Sequence, residues 1–134
     1  MSTIFVSYSH QDSTWLDRLK VHLKPLERKY PLDIWDDTKI GAGSRWLEEI
    51  RLAIENARVA ILLISADFLA SDFIVNNELP HLLLAARTRG KVIMPVIVGH
   101  SLFESIDELS EFQAANNPKE PLAILWIRQS RTRS

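Results

Sequence analysis

The chain has no cysteine. That absence excludes disulfides, thiol nucleophiles and thiolate metal sites together. It also makes a reducing, cytoplasmic compartment the simpler expectation. A dominant charge sign is missing too. Sixteen Lys+Arg against 17 Asp+Glu leave a net charge of -1, so there is no overall electrostatic footprint for nucleic acid. No apolar run approaches the roughly 20 residues that a membrane span needs. Met1-Ser2-Thr3 has neither the basic start nor the apolar centre of a signal segment. Internal repeats and low-complexity stretches are absent. Neither a nucleic acid nor a membrane is therefore expected as a partner.

What remains is an ordinary globular composition: 134 residues, 46% hydrophobic and 25% charged. That length fits one domain around one core. The domain is expected over residues 1–125. Residues 126–134, ending Arg131-Thr132-Arg133-Ser134, read as a basic flexible tail or a linker stub.

Apolar runs and periodicity divide the domain. Thr3 to Tyr8 is a β-branched and aromatic strand. Trp15, Leu19, Leu23 and Leu26 recur at helical spacing. Leu32 to Trp35 is a short second strand, and Asp36 to Ser44 is a loop with two glycines. Ser44 is positioned to cap a helix that carries Trp46, Ile50, Ala53 and Ala57 on one face. Val59 to Ile64 is apolar throughout, as expected for a central strand covered on both faces. Ser65 to Asp67 is a turn. Asn76 or Asn77 can then cap a helix with Pro80 in its first turn and Gly90 closing it. Lys91 to Val98 is a further strand, placed at an edge by Pro95. A short helix near Asp107–Phe112 ends the pattern. Strands alternating with helix-sized connections imply a parallel sheet with helices on both faces. Ligands in such sheets sit at the strand C-termini.

Several sites are excluded by spacing. His22, His81 and His100 are scattered, so no metal site is expected. Ser7, Ser9 and Ser65 lack the Gly-x-Ser-x-Gly context of a hydrolase elbow. Gly41-Ala42-Gly43 is neither a P-loop nor a dinucleotide fingerprint, although its backbone amides could approach a phosphate. Asp36-Asp37 suggests the acidic pocket of response-regulator receivers, but an acidic pair after the first strand is missing.

Glu78 stands out. It follows the central strand by a short connection, in an apolar setting where an unused charge would be costly. Its bland reading is an ordinary acid at a helix N-terminus, where the helix dipole would keep it ionised.

Three blocks resemble the Toll/interleukin-receptor (TIR) domain family. They are Ile4-Phe5-Val6-Ser7-Tyr8-Ser9-His10, then Ile34-Trp35-Asp36-Asp37 with Lys39-Ile40-Gly41-Ala42-Gly43, then Ala60 to Ser65 continuing through Ser71 to Glu78. The wording resembles prokaryotic members. The resemblance implies a flavodoxin-like fold and one of two roles. One is cleavage of NAD+ at the nicotinamide–ribose bond, giving ADP-ribose or a cyclic isomer of it, in immune or toxin-like signalling. The other is a non-enzymatic scaffold built on TIR–TIR contacts, with a fused or separate sensor domain. NAD+ would be substrate, with no cofactor. Glu78 matches the family's catalytic glutamate. Tyr8, Ser9, His10, Asp36, Lys39, Gly41, Trp46, Ser71 and Ile74 are the implied substrate-binding positions. Many enzymatic relatives carry an aromatic where this chain has Ile74, with Phe73 adjacent. For Trp46 a core role, and for His10 a helix-start role, are the plainer alternatives.

One carboxylate suffices for this chemistry. Ordinary glycosidases need a second carboxyl to protonate a poor leaving group. The nicotinamide of NAD+ already carries the positive charge and leaves neutral. The remaining task is to hold and stabilise an oxocarbenium-like ribose.

Overall fold

The computed structural model describes residues 2–40, 43 and 45–123. The basic tail at 126–134, Gly41 and the Ser44 cap lie outside the described residues. Four strands, β1 (Ser2–Ser7), β2 (Leu32–Trp35), β3 (Ala57–Ile64) and β4 (Val92–Ile97), form one parallel sheet in the order β2-β1-β3-β4. The strand order reverses between β1 and β3, the switch point where flavodoxin-like sheets bind their ligands.

β3 is central because Ala60 to Ile64 are buried without interruption. Helices cover both of its faces. Helix α1 (Ser13–Lys29) packs Leu16, with Trp15, Leu19 and Leu23, against Val6, Ile34 and Leu63. Leu16 is the fully buried member of that face, and Leu26, expected there, is exposed. The opposite face is covered by α2 (Trp46–Asn56), α3 (Ala66–Ala70) and α4 (Leu79–Arg89), which enclose Phe5, Leu62, Ile64, Phe68 and Leu82. Phe5 also stacks on its register partner Trp35, with centroids 5.3 Å apart.

Local chemistry explains the element ends, with some differences from expectation. Helix α2 stops at Asn56, so Ala57 opens β3 instead of closing a helical face. The Ser65 turn is the cap of the short helix α3: its Oγ accepts from the Phe68 N–H at 3.0 Å. Gly90 closes α4 at φ +65°, the left-handed conformation that glycine adopts without a Cβ penalty. β4 lies at the sheet edge among the described residues. Its outer side is covered in part by the Asn116 side chain, which accepts from the Ile97 N–H at 2.8 Å and donates to its carbonyl at 2.9 Å. A short helix α5 (Asp107–Ser110) buries Leu109 beyond it.

The expected helix start at Asn76 or Asn77 is not observed. The chain is helical from Asp72, with Ser71 at its head: Ser71 Oγ accepts from the Ile74 N–H at 3.3 Å. Residues Ile74–Glu78 form a π-helical turn that runs directly into α4, and the Leu79 N–H donates to the Ile74 carbonyl. Pro80 supplies the reason. It has no N–H for the carbonyl four residues back, and its ring crowds that carbonyl. Widening the preceding turn to π spacing relieves both problems. Ile74 and Glu78 are thereby both turned inward and buried.

Candidate active site

The site lies at the C-terminal edge of the sheet, among the segments that follow β1, β2 and β3. Alternation along β1 sends Phe5 and Ser7 to the face covered by α2 and α4, and Val6 to the α1 face. Ser7 therefore meets the π-helical turn. Its hydroxyl donates to Glu78 Oε1 at 2.6 Å, and both residues are buried. The Glu78 carboxyl is raised overall from 4.5 to about 7, with burial as the largest cause. The Ser7 hydroxyl pulls it down, the nearby Asp37 charge pushes it up further, and His10 pulls it down. Glu78 is thus held near its midpoint at neutral pH by desolvation. The sequence reading, in which a free helix N-terminus keeps it ionised, is corrected: the helical turn before it leaves no free N-terminus there.

Glu78 opens onto a cleft of about 440 Å³. Tyr8, Ser9, His10 and Gln11 form one wall, from the end of β1. Trp46 and Ile50 of α2, with Ile40, form another. Ser71, Phe73, Ile74 and Glu78 complete it. Seven of the expected site residues thus share this cleft: Tyr8, Ser9, His10, Trp46, Ser71, Ile74 and Glu78. Trp46 is about half exposed, so it is not core. Its indole lies 5.0 Å from the Phe73 ring, and the two form an aromatic wall. Ile74 is buried beneath that wall.

Asp36 and Lys39 do not reach the cleft. Asp36 is fully buried towards α1. Its Oδ1 accepts from the Thr38 N–H at 2.9 Å and from the Thr38 hydroxyl, while Oδ2 faces the Lys20 ammonium at 2.9 Å. Burial alone would raise its pKa, but the Thr38 and Lys20 contacts outweigh it and hold the carboxyl below its ordinary value. Lys39 pairs with Asp33 at 3.1 Å on the outside.

The residue that the sequence reading missed is Asp37. It lines the cleft in place of its neighbour. Its Oδ1 accepts from the Tyr8 hydroxyl at 2.8 Å, and its Oδ2 pairs with His10 Nε2. Burial, then the Asp37 bond and charge, push the Tyr8 phenol far above its ordinary value, so it remains a neutral donor. A usable signal was present for Asp36. Asp36 keeps the extended backbone of β2 and with it the parity of Ile34, which faces α1, while Asp37 opens a 3-10 turn that borders the cleft. Among the described residues no group of three His, Asp or Glu side chains could hold a metal ion. No described helix is long and apolar enough to cross a membrane.

A parallel sheet of this order, with its cleft at the strand C-termini, is the flavodoxin-like arrangement. The TIR domain family model matches residues 4–124, and the chain belongs to that family. Among curated proteins it is similar to the uncharacterized protein y4lF of Sinorhizobium fredii, at 33% identity over 98 residues. That match covers 73% of this chain and 30% of the relative, so the chain spans less than a third of that protein's length. Among solved structures it is similar to the TIR domain of the Toll-related receptor TRR-2 from Hydra magnipapillata. The TM-score is 0.56 at 18% identity, covering 96% of this chain and 95% of that one, a likeness of fold.

Proposed function

We propose that this TIR domain cleaves NAD+ at the nicotinamide–ribose bond, releasing nicotinamide and either ADP-ribose or a cyclic isomer. The observation that carries the reading is Glu78: a buried carboxyl, bonded to Ser7, opening onto a cleft at the sheet's switch point. Maintaining a half-titrated carboxylate in an apolar setting costs stability, which suits a group kept for chemistry. A cationic nicotinamide ring beside it would favour the ionised form. The carboxylate then stabilises positive charge as it develops on the ribose, while the C1′–N bond breaks and its electron pair leaves with neutral nicotinamide. The Trp46–Phe73 wall offers a stacking surface where Ile74 does not.

A second reading, assembly without catalysis, is favoured by one observation. An apolar hollow of about 600 Å³ lies between α4 and α5, lined by Val75, Leu79, Leu83 and Leu84, with Val75 and Leu84 exposed. Such a surface suits self-association through TIR–TIR contacts, and it is compatible with catalysis. Chromatography of NAD+ incubated with concentrated protein separates the two. Nicotinamide release that disappears in Glu78→Gln is the expected result. Self-association without NAD+ loss across a wide concentration range would leave the scaffold.

A further inference from the structure

Glu78 from the π-helical turn, and His10 and Asp37 from the loops after β1 and β2, line the same cleft. Glu78 accounts for bond breaking in the reading above, but His10 and Asp37 have no role in that step. Their arrangement is specific. An ionised carboxylate only accepts hydrogen bonds. One Asp37 oxygen accepts from the Tyr8 hydroxyl at 2.8 Å and the other meets His10 Nε2, a contact that an ionised carboxylate makes only with a protonated nitrogen. In that tautomer the lone pair of the ring is on Nδ1. Tyr8 holds the pair from the side, with ring centroids 5.5 Å apart. The His10 side chain is 75% exposed, so a proton that it accepts can pass to solvent.

We propose that His10, oriented by Asp37, is the general base that takes a proton from the attacking water and so directs the site towards hydrolysis. This rests on the NAD+ reading above. After nicotinamide has left, a water oxygen forms a bond to ribose C1′, and its electron pair quenches the oxocarbenium charge. One water proton goes to His10 Nδ1 and then to solvent. The balance is NAD+ plus water giving nicotinamide, ADP-ribose and one proton. A ring nitrogen of the pyridine type attacks C1′ without any proton to lose, so its capture needs no base. His10 therefore acts on the partition of the intermediate. Asp37 is a positioning residue. In Asp37→Asn the amide can donate to Nε2 and favour the opposite tautomer, a change that leaves the shape intact.

The experiment supplies NAD+ with 3-acetylpyridine and measures the ratio of ADP-ribose to exchanged dinucleotide. In His10→Gln and Asp37→Asn the ratio should fall about tenfold or more relative to wild type. Asp37→Glu should restore part of it. Imidazole 15N shifts should report the Nε2–H tautomer of His10 in wild type and its loss in Asp37→Asn. An unchanged ratio, or a wild type that makes no ADP-ribose while releasing nicotinamide, overturns the base assignment and leaves the role of Glu78 standing. A wild type that releases no nicotinamide overturns both.

Discussion

At the scale of the residue, Glu78 carries a stability signature that is independent of catalysis. Its carboxyl is raised from 4.5 to about 7 in the folded chain, mainly by burial. Between those values the folded state binds a proton that the unfolded state has released, so stability falls as pH rises through that window. Below pH 4.5 the penalty is absent. Glu78→Gln should therefore gain roughly 2–3 kcal/mol relative to wild type on going from pH 5 to pH 8. Denaturant titrations at the two pH values measure this, and a difference independent of pH would contradict it. Asp36 behaves in the opposite way. Its charge is compensated by Lys20 and Thr38, so Lys20→Met should destabilise the fold, by about 1–3 kcal/mol because Lys20 is partly exposed. An unchanged denaturation midpoint would count against that ion pair. The apolar surroundings of Glu78 were legible in the sequence, because a lone acid in an apolar segment after a central strand is conspicuous. The division of labour between Asp36 and Asp37 is only half legible: parity with Ile34 turns Asp36 towards α1, but Asp37 is set by the 3-10 turn that follows. Ser7 was invisible as a partner of Glu78, because that bond spans 71 residues and depends on how α4 is set on the sheet.

At the scale of the element, the strands were readable and the approach to α4 was not. β1 to β4 are short apolar runs flanked by turn residues, and each appears within a residue or two of its expected place. Asn76, Asn77 and Pro80 form a plausible helix start by local rules, yet the helix begins earlier and passes through a π-helical turn. Local propensity cannot distinguish a proline that opens a helix from one that widens the turn before it, because both leave the missing N–H harmless. The distinction matters to the proposed site, since the wide turn sets the direction of Glu78. Pro80→Ala should allow ordinary α spacing, rotate Glu78 away from Ser7, and lower nicotinamide release by roughly tenfold or more with little change in melting temperature. Full activity in that variant would show that the turn is held by packing instead of by the proline.

At the scale of the whole molecule, the parallel sheet with helices on both faces follows from the alternation of strands and helices, and the TIR family follows from three blocks in their order. Assembly is set by surfaces, whose partners leave no periodic trace in a chain. The apolar hollow between α4 and α5 presents the exposed Val75 and Leu84. If copies associate and association favours the active arrangement, specific activity should fall on dilution. Light scattering and rate measurements over the same concentration range check this; a constant specific activity while the protein dissociates would argue against the coupling.

The central claim is that the ionised Glu78 carboxylate, tuned by burial and by Ser7, breaks the nicotinamide–ribose bond. The most direct measurement is the pH dependence of kcat/KM for nicotinamide release, in wild type and in Ser7→Ala. The wild-type rate should rise with pH around an apparent pKa near 7, the value that burial gives Glu78. Removing the Ser7 hydroxyl, which lowers that pKa, should move the rise to higher pH and reduce the rate at neutral pH. A flat profile, or the same profile in both proteins, would contradict the account.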